Sequence, residues 1–337
     1  MSGIINGEAS IAAGDAINYH NRGMEQLGNV LYGEEHAKEA VLASLVLGSD
    51  LILSGLPGGG KSTLARNAHH LVSDIPREDV VLVPAQHDIK ATQLVGGRIV
   101  TRTDIDEDGE KTVETATREI DGIITPSTKV IRIDELNRVN PLALQALLPV
   151  LETGELETTQ GVQRLANLVM LVATQNPSES RQSTFTVSDA MASRFTAGAL
   201  MGEKGTREER LALDRAVRKF TPEPIEPVVS LAGIQALRKY AIATAVDPAM
   251  EDKISRSAIN VADSLLGDYK IAETDRRIGM QIEKNAKTLG AIRTKEHVVT
   301  EQDLVDAVRM VFAARLGALK RTNGQSLDAH VNAAVNG

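Results

Sequence analysis

The stretch Gly55-Leu56-Pro57-Gly58-Gly59-Gly60-Lys61-Ser62 follows the apolar run Leu51-Ile52-Leu53-Ser54 and leads into Thr63-Leu64-Ala65-Arg66-Asn67-Ala68. Its spelling, GxxxxGKS, asks for a buried strand, a loop without side-chain bulk, and a helix start whose first amides have no partner within the helix. Few folds satisfy all three in that order, and those that do are α/β proteins with a cradle for phosphate. Glycines at 58, 59 and 60 let the backbone come within hydrogen-bonding distance of oxygen anions, and Gly55, Pro57 and Thr63 complete the loop on either side. Lys61 supplies a point charge for β and γ phosphates, and the Ser62 hydroxyl suits a Mg²⁺ ligand.

A second acidic element has the same logic. The apolar strand Val130-Ile131-Arg132-Ile133 runs directly into Asp134-Glu135. Two adjacent carboxylates at a buried strand tip are costly unless a cation is held there. Beside a phosphate loop, Asp134 would orient Mg²⁺ and Glu135 would polarise a water in line with the γ-phosphate. A third buried strand, Leu168 to Thr174, ends in Gln175-Asn176-Pro177, which places a polar side chain within reach of the same phosphate. Leu31-Tyr32, at the entry to an amphipathic helix, could flank an adenine ring.

Composition narrows the classes. A net charge of −8 without a long basic run weighs against a constitutive nucleic-acid surface. With 4 Tyr, 4 Phe and no Trp, platforms for stacking single strands are not expected either. The absence of cysteine removes disulfides, thiol nucleophiles and thiolate metal sites. His residues form no HExxH, and the glycine and acidic turns lack EF-hand spacing. No signal peptide or membrane span is read, so a cytoplasmic protein is expected.

Alternation across Gly97–Thr103 and Lys111–Thr117, joined by an Asp-Gly turn, predicts a polar hairpin that projects from the domain. A second hairpin is expected over 155–165, turning at Gln160-Gly161. Asn140-Pro141 should cap a helix that Pro149 kinks. The break Thr221-Pro222-Glu223-Pro224-Ile225-Glu226-Pro227 predicts a boundary, followed by four amphipathic helices.

In the order of its motifs the chain resembles the AAA+ ATPases, and within them the MoxR group. The resemblance is carried by GLPGGGKSTLA, VIRIDELNRVNPLALQALL, VATQNP and Ala190-Met191-Ala192-Ser193-Arg194-Phe195, and covers about residues 30 to 318. It implies an α/β fold, a phosphate-loop αβα sandwich with a parallel sheet followed by a small all-helical lid. The divisions would be an N-terminal arm (1–29), the large nucleotide-binding domain (30–221), the lid (222–320) and a C-terminal tail (321–337). It also implies a Mg²⁺-dependent ATP hydrolase, with ATP and Mg²⁺ as cofactors, working as a ring, usually a hexamer. Asn176 matches sensor 1, and Arg194 matches the arginine finger that enters a neighbouring subunit's site. Arg276 matches sensor 2, reaching the γ-phosphate from the lid of the same subunit, with Arg277 as the alternative register. The hairpins match the helix-2 insert and the pre-sensor-1 hairpin, which face the pore.

Ser193 before the finger arginine departs from the Asp common in MoxR proteins and is closer to the MCM helicases. The resemblance suggests a chaperone-like remodelling ATPase whose client is a von Willebrand factor A domain protein. The rivals are an MCM-like nucleic-acid motor and a nucleotide-switched assembly or scaffold protein.

Overall fold

The computed structural model describes residues 4–5, 11–107, 110–158, 161–176, 185, 187–202, 207–266, 277–316 and 327–336. Its first helix, α1 (Ala13–Gly28), buries Ala16, Tyr19, Gly23 and Leu27 along one face. The segment read as an arm or short helix is thus core material: the Tyr19 hydroxyl donates to the Leu42 carbonyl at 3.0 Å. That carbonyl belongs to α2 (Glu35–Leu47), a helix buried along most of its length.

β1 (Asp50–Gly55) then feeds the phosphate loop and α3 (Lys61–Asn67), followed by β2 (Val80–Val83) and the short α4 (Ala91–Val95). The projecting hairpin is β3 (Gly97–Glu107) with β4 (Glu110–Ile120), antiparallel from Gly97 opposite Ile120 to Glu107 opposite Glu110. β5 (Val130–Ile133) is followed by α5 (Pro141–Gln145) and α6 (Leu148–Thr153). The Asn140 side chain caps α5, accepting from the Leu142 amide at 3.0 Å as expected. Pro149 does more than kink the segment: it sits in the first turn of a separate helix, α6. The second hairpin, β6 (Glu155–Thr158) with β7 (Gly161–Arg164), leads into β8 (Met170–Gln175).

After α7 (Asp189–Ala192) the chain forms β9 (Ala197–Met201), a strand its small residues had concealed, and then α8 (Arg207–Val217). The five strands β2, β5, β8, β1 and β9 form one sheet in that order, every neighbouring pair parallel. Alternation sorts the side chains onto two faces. Leu51, Leu53, Met170 and Val172 pack under α1, α2 and α3, while Ile52, Leu171, Ala173, Ile131 and Ile133 pack under α4 to α7. The outermost strand β2 leaves Leu82 45% exposed, as befits the edge of the sheet.

The proline-rich segment leads to α9 (Leu231–Ile242), α10 (Pro248–Leu266), α11 (Arg277–Arg293), α12 (Glu301–Leu316) and α13 (Leu327–Asn336). Thr300 and Asp303 cap α12 reciprocally, the Thr300 amide donating to Asp303 Oδ2 at 3.0 Å and the Asp303 amide to Thr300 Oγ1 at 3.3 Å. The final segment, expected as a C-terminal tail, instead supplies α13, whose Leu327, Val331 and Ala334 enter the core shared by α10, α11 and α12. The helical region is also fastened to the sheet domain. Leu289, Ile292 and Met310 belong to the core of α1 and α2, and a Cβ added at Gly198 on β9 would lie 2.4 Å from the Ala314 amide of α12.

A buried ionic cluster spans this joint. Arg293 reaches Glu39 at 2.6 Å, Asp303 at 3.0 Å and Asp306 at 2.8 Å, with His20 3.5 Å from Glu39. Burial alone would raise the Glu39 pKa, but its partners His20 and Arg293 outweigh that and hold it at about 2.

Candidate nucleotide-binding site

All the polar groups singled out from the strand tips lie at the carboxyl edge of the parallel sheet, where ligands of open α/β sheets bind. The register sets their levels: Ser54 of β1 stands opposite Gln175 of β8, and Ile133 of β5 opposite Ala173 of β8. The phosphate loop and Asp134 are therefore not on adjacent strands, because β8, bearing Asn176 just past its end, lies between them. At roughly 4.8 Å per strand, β1 and β5 stand about 10 Å apart, a gap that a triphosphate with its cation can bridge.

The loop itself is held by its own chain. Lys61 Nζ donates to the carbonyls of Gly55 at 2.9 Å and Leu56 at 2.7 Å, folding the ammonium back over the loop. The Ser62 and Thr63 side chains are exposed at the start of α3. Gly60 needs to be glycine twice over: its φ is +82°, and a Cβ there would come 2.3 Å from Leu31 Cδ1. A Cβ at Gly55 would lie 2.0 Å from the Met201 carbonyl, so the turn after β9 presses on the loop from the other side. Pro57 and Gly58 form the turn of the loop, and Gly58 has open space where a Cβ would stand.

Leu31 thus touches the loop directly. Tyr32, 47% exposed, meets the Phe220 ring edge-on at a centroid distance of 6.2 Å. Phe220 escaped the sequence reading because it follows α8, far along the chain. So did Glu34, whose carboxylate accepts from the Gly202 amide at 2.8 Å and so ties the start of α2 to the turn after β9. Burial raises the Glu34 pKa. Glu34 has a left-handed backbone, φ 59°, beside Gly33 at φ 71°, and the Gly-Glu pair was the signal that could have marked the turn.

At the tip of β5 Asp134 is held by Arg132, whose Nε lies 3.6 Å from Oδ2. Asp134 Oδ1 is buried and has no hydrogen-bond partner. A buried carboxylate oxygen left without a partner at a strand tip is the kind of donor a divalent cation needs, so Asp134, with the exposed Ser62 hydroxyl, fits Mg²⁺ entering with the nucleotide. Among the described residues no group of three or more His, Cys, Asp or Glu could hold a metal by itself. Such a cation would take most of its ligands from phosphate and water. Beneath Arg132, His69 is kept neutral: burial first, then His70 and the Arg132 charge, lower its pKa to about 4.

Glu135 adopts a left-handed backbone, φ 55° and ψ 61°, a cost of about 1 kcal/mol that a non-glycine residue tolerates when its surroundings hold it. Thr174 of β8 does so, its hydroxyl accepting from the Glu135 amide at 3.0 Å. The Glu135 carboxylate, 43% exposed, lies 3.2 Å from Arg138. The Asn176 carbonyl accepts from Asn137 Nδ2 at 3.3 Å, linking the segment after Glu135 to the tip of β8. Gln175 donates to Ser54 Oγ at 3.1 Å, pinning β8 to β1 just below the loop.

Arg194 lies elsewhere. It precedes β9, and the Thr196 amide donates to the carbonyl of Asp50, the first residue of β1, at 3.2 Å. Arg194 is therefore at the amino edge of the sheet, the length of β9 away from its own phosphate loop, about 16 Å for five residues. Its Nη2 is 2.6 Å from Glu152 Oε1. The same oxygen takes Arg277 Nη2 at 3.0 Å, and Arg277 Nη1 reaches Ser193 Oγ at 3.4 Å. Arg276 lies outside the described residues. Its neighbour Arg277, the alternative register, stands beside Arg194 and not beside the loop of its own chain.

A parallel sheet with a glycine-rich loop on a central strand, a polar residue at the tip of the neighbouring strand, an acidic pair at the tip beyond it and a helical region behind it match the α/β fold of AAA+ proteins. Residues 50–195 match the AAA domain of the dynein-related subfamily. Over 210 residues the chain is 27% identical to the uncharacterized protein YeaC of Bacillus subtilis (strain 168), a match covering 62% of this chain and 60% of that protein. The chain thus spans less than two thirds of this relative's length. A crystal structure of a "putative ATPase" from Cytophaga hutchinsonii superposes with a TM-score of 0.64 at 19% identity over 88% of both chains, which shows the shared fold. Among the described residues no helix is long and apolar enough to cross a membrane.

Proposed function

We propose that this chain is a MoxR-type AAA+ ATPase that hydrolyses ATP with Mg²⁺ in a ring, as a hexamer, and remodels a protein client. The observation that carries the reading is the separation of the two cationic devices: Lys61 sits at one edge of the sheet and Arg194 at the other. An arginine that starts at the opposite edge of the sheet from its own loop is placed to complete a phosphate site in another copy.

In this reading Lys61 and the loop amides bind the triphosphate, and Leu31, Tyr32 and Phe220 wall the base. Asp134 and Ser62 would hold Mg²⁺, and the ion would supply positive charge beside the phosphate oxygens. Glu135 accepts the proton of the attacking water while Asn176 orients that water or the γ-phosphate, and Arg194 of the next copy stabilises the charge leaving the bond. The projecting hairpin supports a protein client over nucleic acid, since residues 97–120 carry seven carboxylates against four cations. A von Willebrand factor A domain protein remains the suggested client.

The test mixes two inactive variants. Lys61→Ala cannot hold nucleotide and Arg194→Ala cannot complete a neighbour, so each alone should be silent. Mixed assemblies should regain turnover at the border where an intact loop meets an intact arginine. A mixture that stays silent while wild type turns over, or a wild-type rate per chain independent of protein concentration, would overturn the reading. Turnover stimulated by DNA in a salt-dependent way would favour the nucleic-acid motor instead.

A further inference from the structure

Every nitrogen of the Arg194 guanidinium is engaged or enclosed by its own chain. Nη2 is paired with Glu152, Nη1 donates to the Ala190 carbonyl, and Nε is buried without a partner. The side chain is 15% exposed. A phosphate oxygen arriving from a neighbouring copy would have to displace Glu152 to be gripped by both ends of the fork.

Glu152 itself is shared. It lies in the last turn of α6, and its single oxygen Oε1 takes both Arg194 at 2.6 Å and Arg277 at 3.0 Å. Arg277 is the first residue of α11, and one turn further along that helix Gln281 Nε2 donates to the Ser193 carbonyl at 3.2 Å. The arginine is thus tied through one carboxylate to the first turn of a lid helix. Two guanidiniums repel each other and are held together on one oxygen by its negative charge, so loss of either pairing changes the other.

We infer that Glu152 is a latch: it withholds Arg194 from the neighbour's triphosphate and releases it when the lid helix α11 takes a larger share of the carboxylate through Arg277. Glu152 touches no nucleotide and acts only through the two arginines, which makes it a positioning residue. The inference rests on the proposed use of Arg194 between copies, and its test is built so that the two can fail separately.

The informative variant is Glu152→Gln, which keeps the shape and removes the charge. At saturating ATP its turnover should rise roughly two- to tenfold, the range expected for freeing one partly exposed ion pair, with the nucleotide Kd unchanged. Glu152→Asp, shorter by one methylene, should fall between that variant and wild type. Glu152→Gln combined with Arg194→Ala should be no faster than Arg194→Ala alone. Amide exchange at 189–194 and 277–281 should quicken together in Glu152→Gln. Unchanged or reduced turnover in Glu152→Gln, with wild type active and dependent on Arg194, would overturn the latch while sparing the ATPase reading. A wild type whose turnover ignores Arg194 would sink both.

Discussion

The two edges of the central sheet are built by different means. At the carboxyl edge, the loop, Asp134, Glu135 and Asn176 are placed by main-chain geometry, since strand register and tight turns set where each side chain begins. At the amino edge, Arg194, Glu152 and Arg277 are placed by one another, through ion pairs between segments 42 and 125 residues apart. The first edge is a fixed mould. The second is a balance of charges that a small change can tip.

The largest effects should come from the mould. Lys61→Ala should abolish nucleotide binding, read by a fluorescent ATP analogue. Glu135→Gln should retain ATP while turnover falls ~10²–10⁴-fold, the usual weight of a proton acceptor. Retention of wild-type turnover by that variant would remove Glu135 from its role. On the opposite edge, Arg194→Ala should cost ~10³–10⁵-fold in turnover with little change in nucleotide affinity, the range of an arginine supplied by a neighbour. Equal losses in affinity and turnover would mean that Arg194 supports the fold rather than the chemistry.

A smaller effect probes how firmly the mould is set. Arg132→Met removes the guanidinium 3.6 Å from Asp134. The orphaned Oδ1 should then lose its orientation, and the Mg²⁺ concentration for half-maximal nucleotide binding should shift several-fold, with binding in EDTA unaltered. Equal loss with and without Mg²⁺ would point to damaged packing instead.

The smallest effects concern stability. Glu39 has a pKa of about 2 in the fold, below its usual value near 4.5. A depressed carboxylate contributes stability that is present above its unfolded pKa and lost as pH falls toward the folded one. The stability gap between wild type and Glu39→Gln should therefore be full at neutral pH and shrink between about pH 5 and pH 2. A gap independent of pH would assign the difference to packing. Tyr19→Phe, which leaves the Leu42 carbonyl without its buried donor, should cost about 1 kcal/mol in chemical denaturation.

The same contrast explains what could be read in advance. Residues 55–63 and 130–135 announce their roles locally, because strand, tight turn and helix start are each encoded by the residues that form them. β9 was hidden by composition: Ala197-Gly198-Ala199 lacks the branched side chains that mark strands, and it is a strand because β1 and α12 bury it on two sides. α13 was hidden by brevity, its three buried positions resembling a polar tail until α10 and α12 cover them. Nothing near Glu152 in the chain marks it, since its meaning comes wholly from two arginines that the fold delivers.

The helices behind the sheet share their apolar interior with α1 and α2, and Arg293 of α11 reaches Glu39 of α2 across that seam while Asp303 and Asp306 of α12 hold it from its own side. Prising the seam open would part the Glu39 carboxylate from Arg293 and wet Leu289, Ile292 and Met310. Such a body has no soft joint there to absorb a push. A tug on the C-terminal helices would swing the phosphate loop with them, as the head of a hammer follows its handle.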